Sequence, residues 1–280
     1  MQTDNKYKQV ALLVHTCDRY EFLYKGFEIF FNQFWDHNIA TNNYFATEEI
    51  IVDIKPFKNI LSGKAEWSDR LIKILSDEIK EDYVLYMQED MWLTKPVNGQ
   101  FFKELFSYAI SNSIDCIKLH SSEVYQTIPT GTDFCGLSLT KLNNEKSKYL
   151  MSHQVTLWKK EFLLKQLRKN EHPWRNERRA TKRLKKTNPT IYHVDYFAEN
   201  GKNEINKNIN PSIRSEYFTV SVNGMLGENS KLFIDKLSKS NANPDYLSKL
   251  KYHCDNELTH DGKPKPRKED FFQKIKRWIR

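Results

Sequence analysis

The stretch that most constrains this chain is Asp82-Tyr-Val-Leu-Tyr-Met-Gln-Glu-Asp90, followed by Met91-Trp92-Leu93. Tyr83–Met87 is apolar and aromatic without alternation, and too short for a helix. A more polar, helix-like segment, Trp67–Lys80, precedes it. Such a run predicts a strand buried on both faces of a parallel sheet. It stops abruptly at Gln88, Glu89 and Asp90. In open α/β sheets, ligands bind at the carboxyl ends of the strands. Two acids at that edge are placed to hold a divalent cation and, through it, a diphosphate. The plainer reading of the same residues is a solvated acidic turn.

The rest of the chain repeats the pattern. Lys8–His15 predicts a first strand, and Thr16-Cys-Asp-Arg-Tyr20 follows at its carboxyl end. Glu21–Trp35 carries Phe22, Leu23, Phe27, Phe30, Phe31 and Phe34 close to helical spacing. Strand, polar turn and helix open a nucleotide-binding βαβ unit. Thr16 and Asp18 are placed to hydrogen-bond a base or ribose, Asp18 serving otherwise as a helix cap. There is no GxGxxG or Walker pattern, which argues against a dinucleotide or an ATP P-loop. Glu49–Ile54 predicts a second strand. A glycine turn from Leu61 leads into a helix carrying Trp67 and Arg70 on one face. Phe101–Asn112 and Lys160–Arg168 predict helices, and Asp115–His120, Met151–Trp158 and Thr190–Phe197 predict strands. Tyr125–Leu142 predicts a loop or ribbon. Asn170-Glu-His-Pro-Trp-Arg-Asn-Glu177 predicts a turn into a basic helix.

The 280 residues, 39% hydrophobic and 13% aromatic, suffice for one large domain with a sizeable core. No stretch approaches the roughly 20 apolar residues of a membrane span. The first residues lack an apolar signal core, which predicts a cytoplasmic protein. Cys17, Cys116, Cys135 and Cys254 are far apart and predict reduced thiols, not a disulfide frame or a zinc site. The net charge of +8 is uneven. Lys159–Lys186 holds 12 basic and 3 acidic residues, and Lys263–Arg280 holds 8 and 2, leaving the remainder near −7. Two basic surfaces on an acidic body predict local anionic partners: a nucleotide, a lipid head group or a nucleic acid.

Several segments together resemble nucleotide-sugar glycosyltransferases of the GT-A fold, more narrowly bacterial enzymes building lipopolysaccharide, capsule or other surface glycans. VALLVHTCDRY resembles that family's first strand and nucleotide loop. GKAEWSDRL resembles a helix carrying an arginine near the diphosphate, and DYVLYMQEDMWL the strand leading into the DxD motif. SHQVTLWKKEFL and EHPWRNE resemble an acceptor-side strand, helix and Pro-Trp-x-x-Glu turn. The likeness spans roughly residues 8–200. It implies an α/β fold, a single GT-A-like, Rossmann-like domain over 1–260 with a mostly parallel sheet. Residues 8–122 would form the nucleotide-sugar half and 123–260 the acceptor half. This sequence departs from the pattern where Gln88 replaces the first Asp of DxD and Arg175 the first acid of the turn.

The resemblance implies roles. Asp90 takes the metal, Mn2+ or Mg2+, and Thr16, Asp18, Arg19, Arg70, Gln88 and Glu89 bind the donor, most readily a UDP-sugar. Glu177 is the expected base of an inverting displacement, with His153 second, and Trp174 and His153 lie on the acceptor side. The acceptor is a glycan or a lipid-linked glycan. From the residues themselves, 261–280 reads as a basic tether and an amphipathic helix. Phe271, Phe272, Ile275, Trp278 and Ile279 fall on one side, and 263–280 suits an anionic membrane surface, placing the protein on the inner face of the cell membrane. The alternatives are a non-catalytic sugar- or membrane-binding module and a basic nucleic-acid-binding protein; no nucleic-acid-binding motif supports the latter.

Overall fold

The structure is a computed structural model describing residues 9–202, 213–240 and 243–265. The expected tail helix at 271–280 lies outside the described residues. The chain divides into two units, Met1–Thr219 and Val220–Arg280.

The first unit is an α/β domain of Rossmann-like kind. Its strands are β1 Val10–His15, β2 Asn42–Thr47, β3 Lys58–Leu61, β4 Tyr83–Met87, β5 Met91–Leu93, β6 Cys116–His120, β7 Thr127–Phe134, β8 Leu137–Leu142, β9 Thr156–Lys159, β10 Tyr192–Glu199 and β11 Ser215–Thr219. The helices between them are α1 Glu21–Phe34, α2 Trp67–Lys73, α3 Gly99–Ser111, α4 Lys160–Gln166 and α5 Pro173–Thr187. The sheet runs β3-β2-β1-β4-β9-β6-β10-β11-β5, with the β7–β8 ribbon attached through β8 to β10. Strands β3, β2, β1, β4, β6, β10 and β11 point one way. β9 is reversed between β4 and β6, and β5 is reversed on β11. The expected mostly parallel α/β sheet is therefore present.

β4 shows why the central run does not alternate. All five of its residues are buried. Val84 and Tyr86 belong to a core with Trp67, Leu71, Ile74, Trp158, Leu163, Ala180 and Leu184, from α2 and the helical turn after it, β9, α4 and α5. Tyr83 points the other way, where its hydroxyl donates to the Ala109 carbonyl of α3 at 3.0 Å. A strand covered on both faces needs apolar side chains at consecutive positions, each contributing about 1.5–3 kcal/mol when removed from water. On that second face, Phe30 of α1 stacks on Trp92 at 5.5 Å, and Phe101 of α3 on Tyr196 of β10 at 4.0 Å.

Two expected strands differ in extent. Residues 49–54 form no strand; β2 and β3 lie on either side of them. The Asp18 carboxylate accepts from the backbone N–H groups of Glu48, Glu49 and Ile50 at 2.8, 2.8 and 3.1 Å, donors that a ladder would have used. The strand expected over Met151–Trp158 begins only at Thr156. Before it, Leu150 and Met151 donate to Thr181 Oγ1 and His153 donates to Glu177, so this backbone is bound to α5 and not to a neighbouring strand. Tyr125–Leu142 holds the β7–β8 ribbon, turning at Cys135 and Gly136 in left-handed backbone. β11 follows the strand expected to be last.

The second unit has a short hairpin, β12 Ser221–Val222 with β13 Met225–Leu226, and two helices, α6 Ser230–Ser240 and α7 Pro244–Asp255. Val220, Phe233, Ile234, Leu237 and Leu250 are the buried apolar residues among its described residues.

Gly26 gives a stability test. Trp92 packs so closely over α1 that a Cβ at Gly26 would lie 2.0 Å from Trp92 Cζ2. Glycine within a helix ordinarily costs about 1 kcal/mol relative to alanine. Here overpacking outweighs that gain, and Gly26→Ala is expected to lower stability by about 2 kcal/mol in urea titration. An unchanged or raised midpoint would contradict the close packing of α1 on Trp92.

Candidate functional site

Because β1, β4, β6 and β10 run the same way, their carboxyl ends share one edge. That edge carries His15 and Thr16 after β1, Gln88-Glu89-Asp90 after β4, His120 and Ser121 at β6, and Glu199 at the end of β10. Ligands of open α/β sheets bind at such an edge.

The acids after β4 are held by the turn that follows. Met91 N–H donates to the Gln88 carbonyl at 3.2 Å and the Trp92 indole N–H to the Glu89 carbonyl at 3.0 Å. Trp92 is 1% exposed, so this anchor is rigid. Glu89 is buried and Asp90 half-buried. Glu89 Oε2 and Asp90 Oδ1 are buried without a hydrogen-bond partner. Burial, and for Glu89 also the adjacent Asp90 charge, raises both carboxyl pKa values well above the ordinary range; Thr16 and Arg70 oppose the rise at Glu89. Two adjacent carboxyls, each with one buried oxygen left without a partner, are a donor set suited to a cation. Among the described residues, no group of three or more His, Cys, Asp or Glu side chains is placed to hold a metal. Two such acids could hold a divalent cation that would take its other ligands from water and substrate.

Arg70 projects from α2 to the same edge. It is 5% exposed and donates to the Thr16 carbonyl at 2.6 Å, while its Nε, which has no hydrogen-bond partner, lies 3.6 Å from Glu48 Oε1. The guanidinium is thus fixed where its charge acts on Glu89. Thr16 Oγ1 donates to the Tyr24 hydroxyl at 3.1 Å. Asp18 is a structural staple: three backbone N–H groups occupy its carboxylate, and its own N–H donates to Glu48 Oε2 at 3.0 Å. It neither caps α1 nor offers a free carboxylate to a ribose. Arg19 is exposed, and Gln88 is half-buried after β4.

On the other side of the edge, the structure joins Glu177 and His153. The His153 backbone N–H donates to Glu177 Oε1 at 2.9 Å. The His153 ring packs against Trp67 at 4.3 Å and lies 6.1 Å from Tyr86. Burial, reinforced by the Lys118 charge, lowers its pKa to about 3, so the imidazole stays neutral at physiological pH. Burial raises the pKa of Glu177, against the bond from His153 and the charge of Lys118. A base works best with a pKa near the working pH, which favours Glu177 over His153. His153 positions Glu177 through its backbone and fills space with its ring. Trp174 is 66% exposed on the first turn of α5, with its ring 6.0 Å from His172, outside this buried cluster.

Sequence reasoning missed three participants. Lys118 is fully buried, donates to Ser152 Oγ at 3.0 Å and lies 5.4 Å from the Tyr125 ring centre. Its pKa is lowered by burial, against the pull of Cys116 and Glu177. Glu199 has its pKa raised by burial, with Lys202 opposing and Glu177 adding to the rise. Tyr217 of β11 donates to Gln154 Oε1 at 2.5 Å and feels the charges of both Glu199 and Asp90, so it lies between the two sides of the edge. Glu199 had a usable signal. It ends the short apolar run Tyr196-Phe-Ala198 just as the acids end Tyr83–Met87.

Comparison with protein-family profiles and with curated proteins finds no match.

Proposed function

We propose that this chain is a nucleotide-sugar glycosyltransferase of GT-A type, acting on a glycan or lipid-linked acceptor in bacterial surface-polysaccharide synthesis. The observation that carries the reading is the pair of adjacent acids, Glu89 and Asp90, each with one buried oxygen left without a partner, at the carboxyl edge of the sheet, with the fixed cation of Arg70 acting on Glu89. The edge also supplies a separate carboxylate, Glu177, with a raised pKa.

Asp90, with Glu89, would hold Mn2+ or Mg2+, which supplies positive charge to the leaving diphosphate. Arg70 adds a fixed positive charge at the same place, already desolvated, so that it acts without reorganisation. Gln88 offers an amide to a ribose hydroxyl. Glu177 takes the proton of the acceptor hydroxyl as its oxygen bonds to the anomeric carbon. The bond from that carbon to the diphosphate oxygen breaks, and the nucleoside diphosphate leaves with the electron pair. A single displacement of this kind inverts the anomeric centre. Trp174 presents an exposed ring on which an acceptor sugar can stack. No helix among the described residues is long and apolar enough to cross a membrane. We place the protein in the cytoplasm, peripheral to the membrane through residues 263–280.

Thermal shift with nucleotides tests the donor site. A ligand at a hundred times its Kd stabilises by about 2.7 kcal/mol. UDP or GDP with Mn2+ is expected to raise the melting temperature by several degrees, and chelation to remove the rise. Equal indifference to every nucleotide, with metal present, would contradict the assignment of the edge.

A further inference from the structure

The helix α5 has two sides. Asn176, Ala180, Thr181 and Leu184 are buried. The other side carries Arg175, Arg178, Arg179, Lys182 and Lys185, which with Lys148 line a cavity of about 560 Å³. The half-exposed ring of Tyr149 forms part of its wall, and no acidic side chain lines it. Arg179 has a partner in Glu171 at 3.4 Å. Arg178, Lys182 and Lys148 have no side-chain hydrogen bond or ion pair among the described residues. A convex basic helix would be an ordinary solvated face. Cations gathered round a concavity repel one another and concentrate positive potential there, and an anion relieves both. Guanidinium groups match the oxygens of phosphate in pairs, which suits this lining to phosphate more than to a lone carboxylate.

We propose that this cavity binds the phosphate or diphosphate group of the acceptor, whether borne on a lipid or on a soluble glycan. The assignment to the acceptor rests on the glycosyltransferase reading. Glu177, the base of that reading, immediately precedes Arg178 on the same helix, so an acceptor anchored here is held by the element that deprotonates it. The donor diphosphate has a separate place, because none of Thr16, Arg70, Glu89 or Asp90 lines the cavity.

The test uses the full chain and the variant Arg178→Gln/Lys182→Gln. Both residues are exposed, so the variant is expected to fold with an unchanged melting temperature. Inorganic pyrophosphate is titrated calorimetrically in chelator, which removes metal-assisted binding at the strand edge. The wild-type chain is expected to bind it, and the variant to bind more than about tenfold more weakly. Co-sedimentation with phosphatidylcholine vesicles, with and without phosphatidic acid, separates the sources. A loss in the variant specific to phosphatidic acid assigns the cavity to a lipid-borne phosphate. A loss confined to pyrophosphate assigns it to a soluble one. Equal pyrophosphate binding by both proteins, or none by either, overturns the proposal. So does tighter, steeply salt-dependent binding of an oligonucleotide that the two substitutions abolish. UDP with Mn2+, titrated in parallel, reads the other site. A UDP response in both proteins without a pyrophosphate difference overturns the cavity assignment alone. A pyrophosphate difference without any UDP response keeps the anion site and removes the acceptor role with the glycosyltransferase reading.

Discussion

Asp90→Asn is expected to abolish turnover while making the folded protein more stable. Asp90 Oδ1 is buried without a partner, and its neighbour Glu89 repeats the arrangement at Oε2. In the proposed mechanism the loss removes the group that holds the cation at the leaving diphosphate, a contribution of several kcal/mol and at least about a hundredfold in rate. Stability moves the other way. The folded pKa of Asp90 is raised by burial. Below the ordinary carboxyl range both states are protonated and nothing is lost. Above it the unfolded carboxyl ionises while the folded one keeps its proton, so stability falls as pH rises until the folded group also ionises. Near neutral pH, in chelator, Asp90→Asn should therefore melt higher than wild type, by on the order of 1 kcal/mol. The difference should shrink as pH falls toward 4. Full activity in Asp90→Asn would dismiss the metal role. A lower melting temperature across the whole range would show that the carboxylate is structural.

The second large effect is at Glu177. Glu177→Gln preserves the shape and can still accept from the His153 N–H, but it cannot take a proton. General-base catalysis contributes about 10²–10⁴-fold, and kcat is expected to fall by that amount with donor binding unchanged. The raised pKa also fixes the sign of the pH dependence. Wild-type kcat should decline on acidification from a point above the usual glutamate range, and the variant's residual rate should lack that limb. Weakened nucleotide binding with turnover of bound donor intact would remove Glu177 from the base role. Lys118→Met separates tuning from structure. Removing a buried positive charge near Glu177 should move the acid limb to higher pH, which a purely structural role would not do.

Much of the frame was legible because burial on two faces leaves a plain mark. The apolar runs ending at His15, Met87 and His120 gave β1, β4 and β6, and the acids after Met87 lie at the carboxyl edge of the sheet. The errors have local causes. Residues 49–54 resemble a strand in composition, but the Asp18 carboxylate, some thirty residues earlier, takes the N–H groups of Glu49 and Ile50 as well as that of Glu48. Residues 150–154 are apolar and polar in strand-like order, yet Thr181 and Glu177 of α5 bind their N–H groups. Such pairings need the fold before they can be seen. Asp18 is read differently for the same reason: its type suits a ribose contact or a cap, and only the tertiary structure shows its oxygens accepting three backbone N–H groups. Lys118 was invisible because a lysine in a strand reads as exposed, and its burial depends on Ser152, Tyr125 and Trp158 arriving from elsewhere.

In the proposed reaction the acids after β4 and Glu177 together transfer a sugar from a nucleotide. The most direct measurement is release of nucleotide from UDP-, GDP- and CMP-sugars incubated with the protein, with and without Mn2+. The proposed reaction requires release from a diphosphate donor that depends on Mn2+ and is lost in both Asp90→Asn and Glu177→Gln. Release that persists undiminished in both variants, or none from any donor by a folded wild-type chain with Mn2+ and glycan or lipid acceptors supplied, would contradict it.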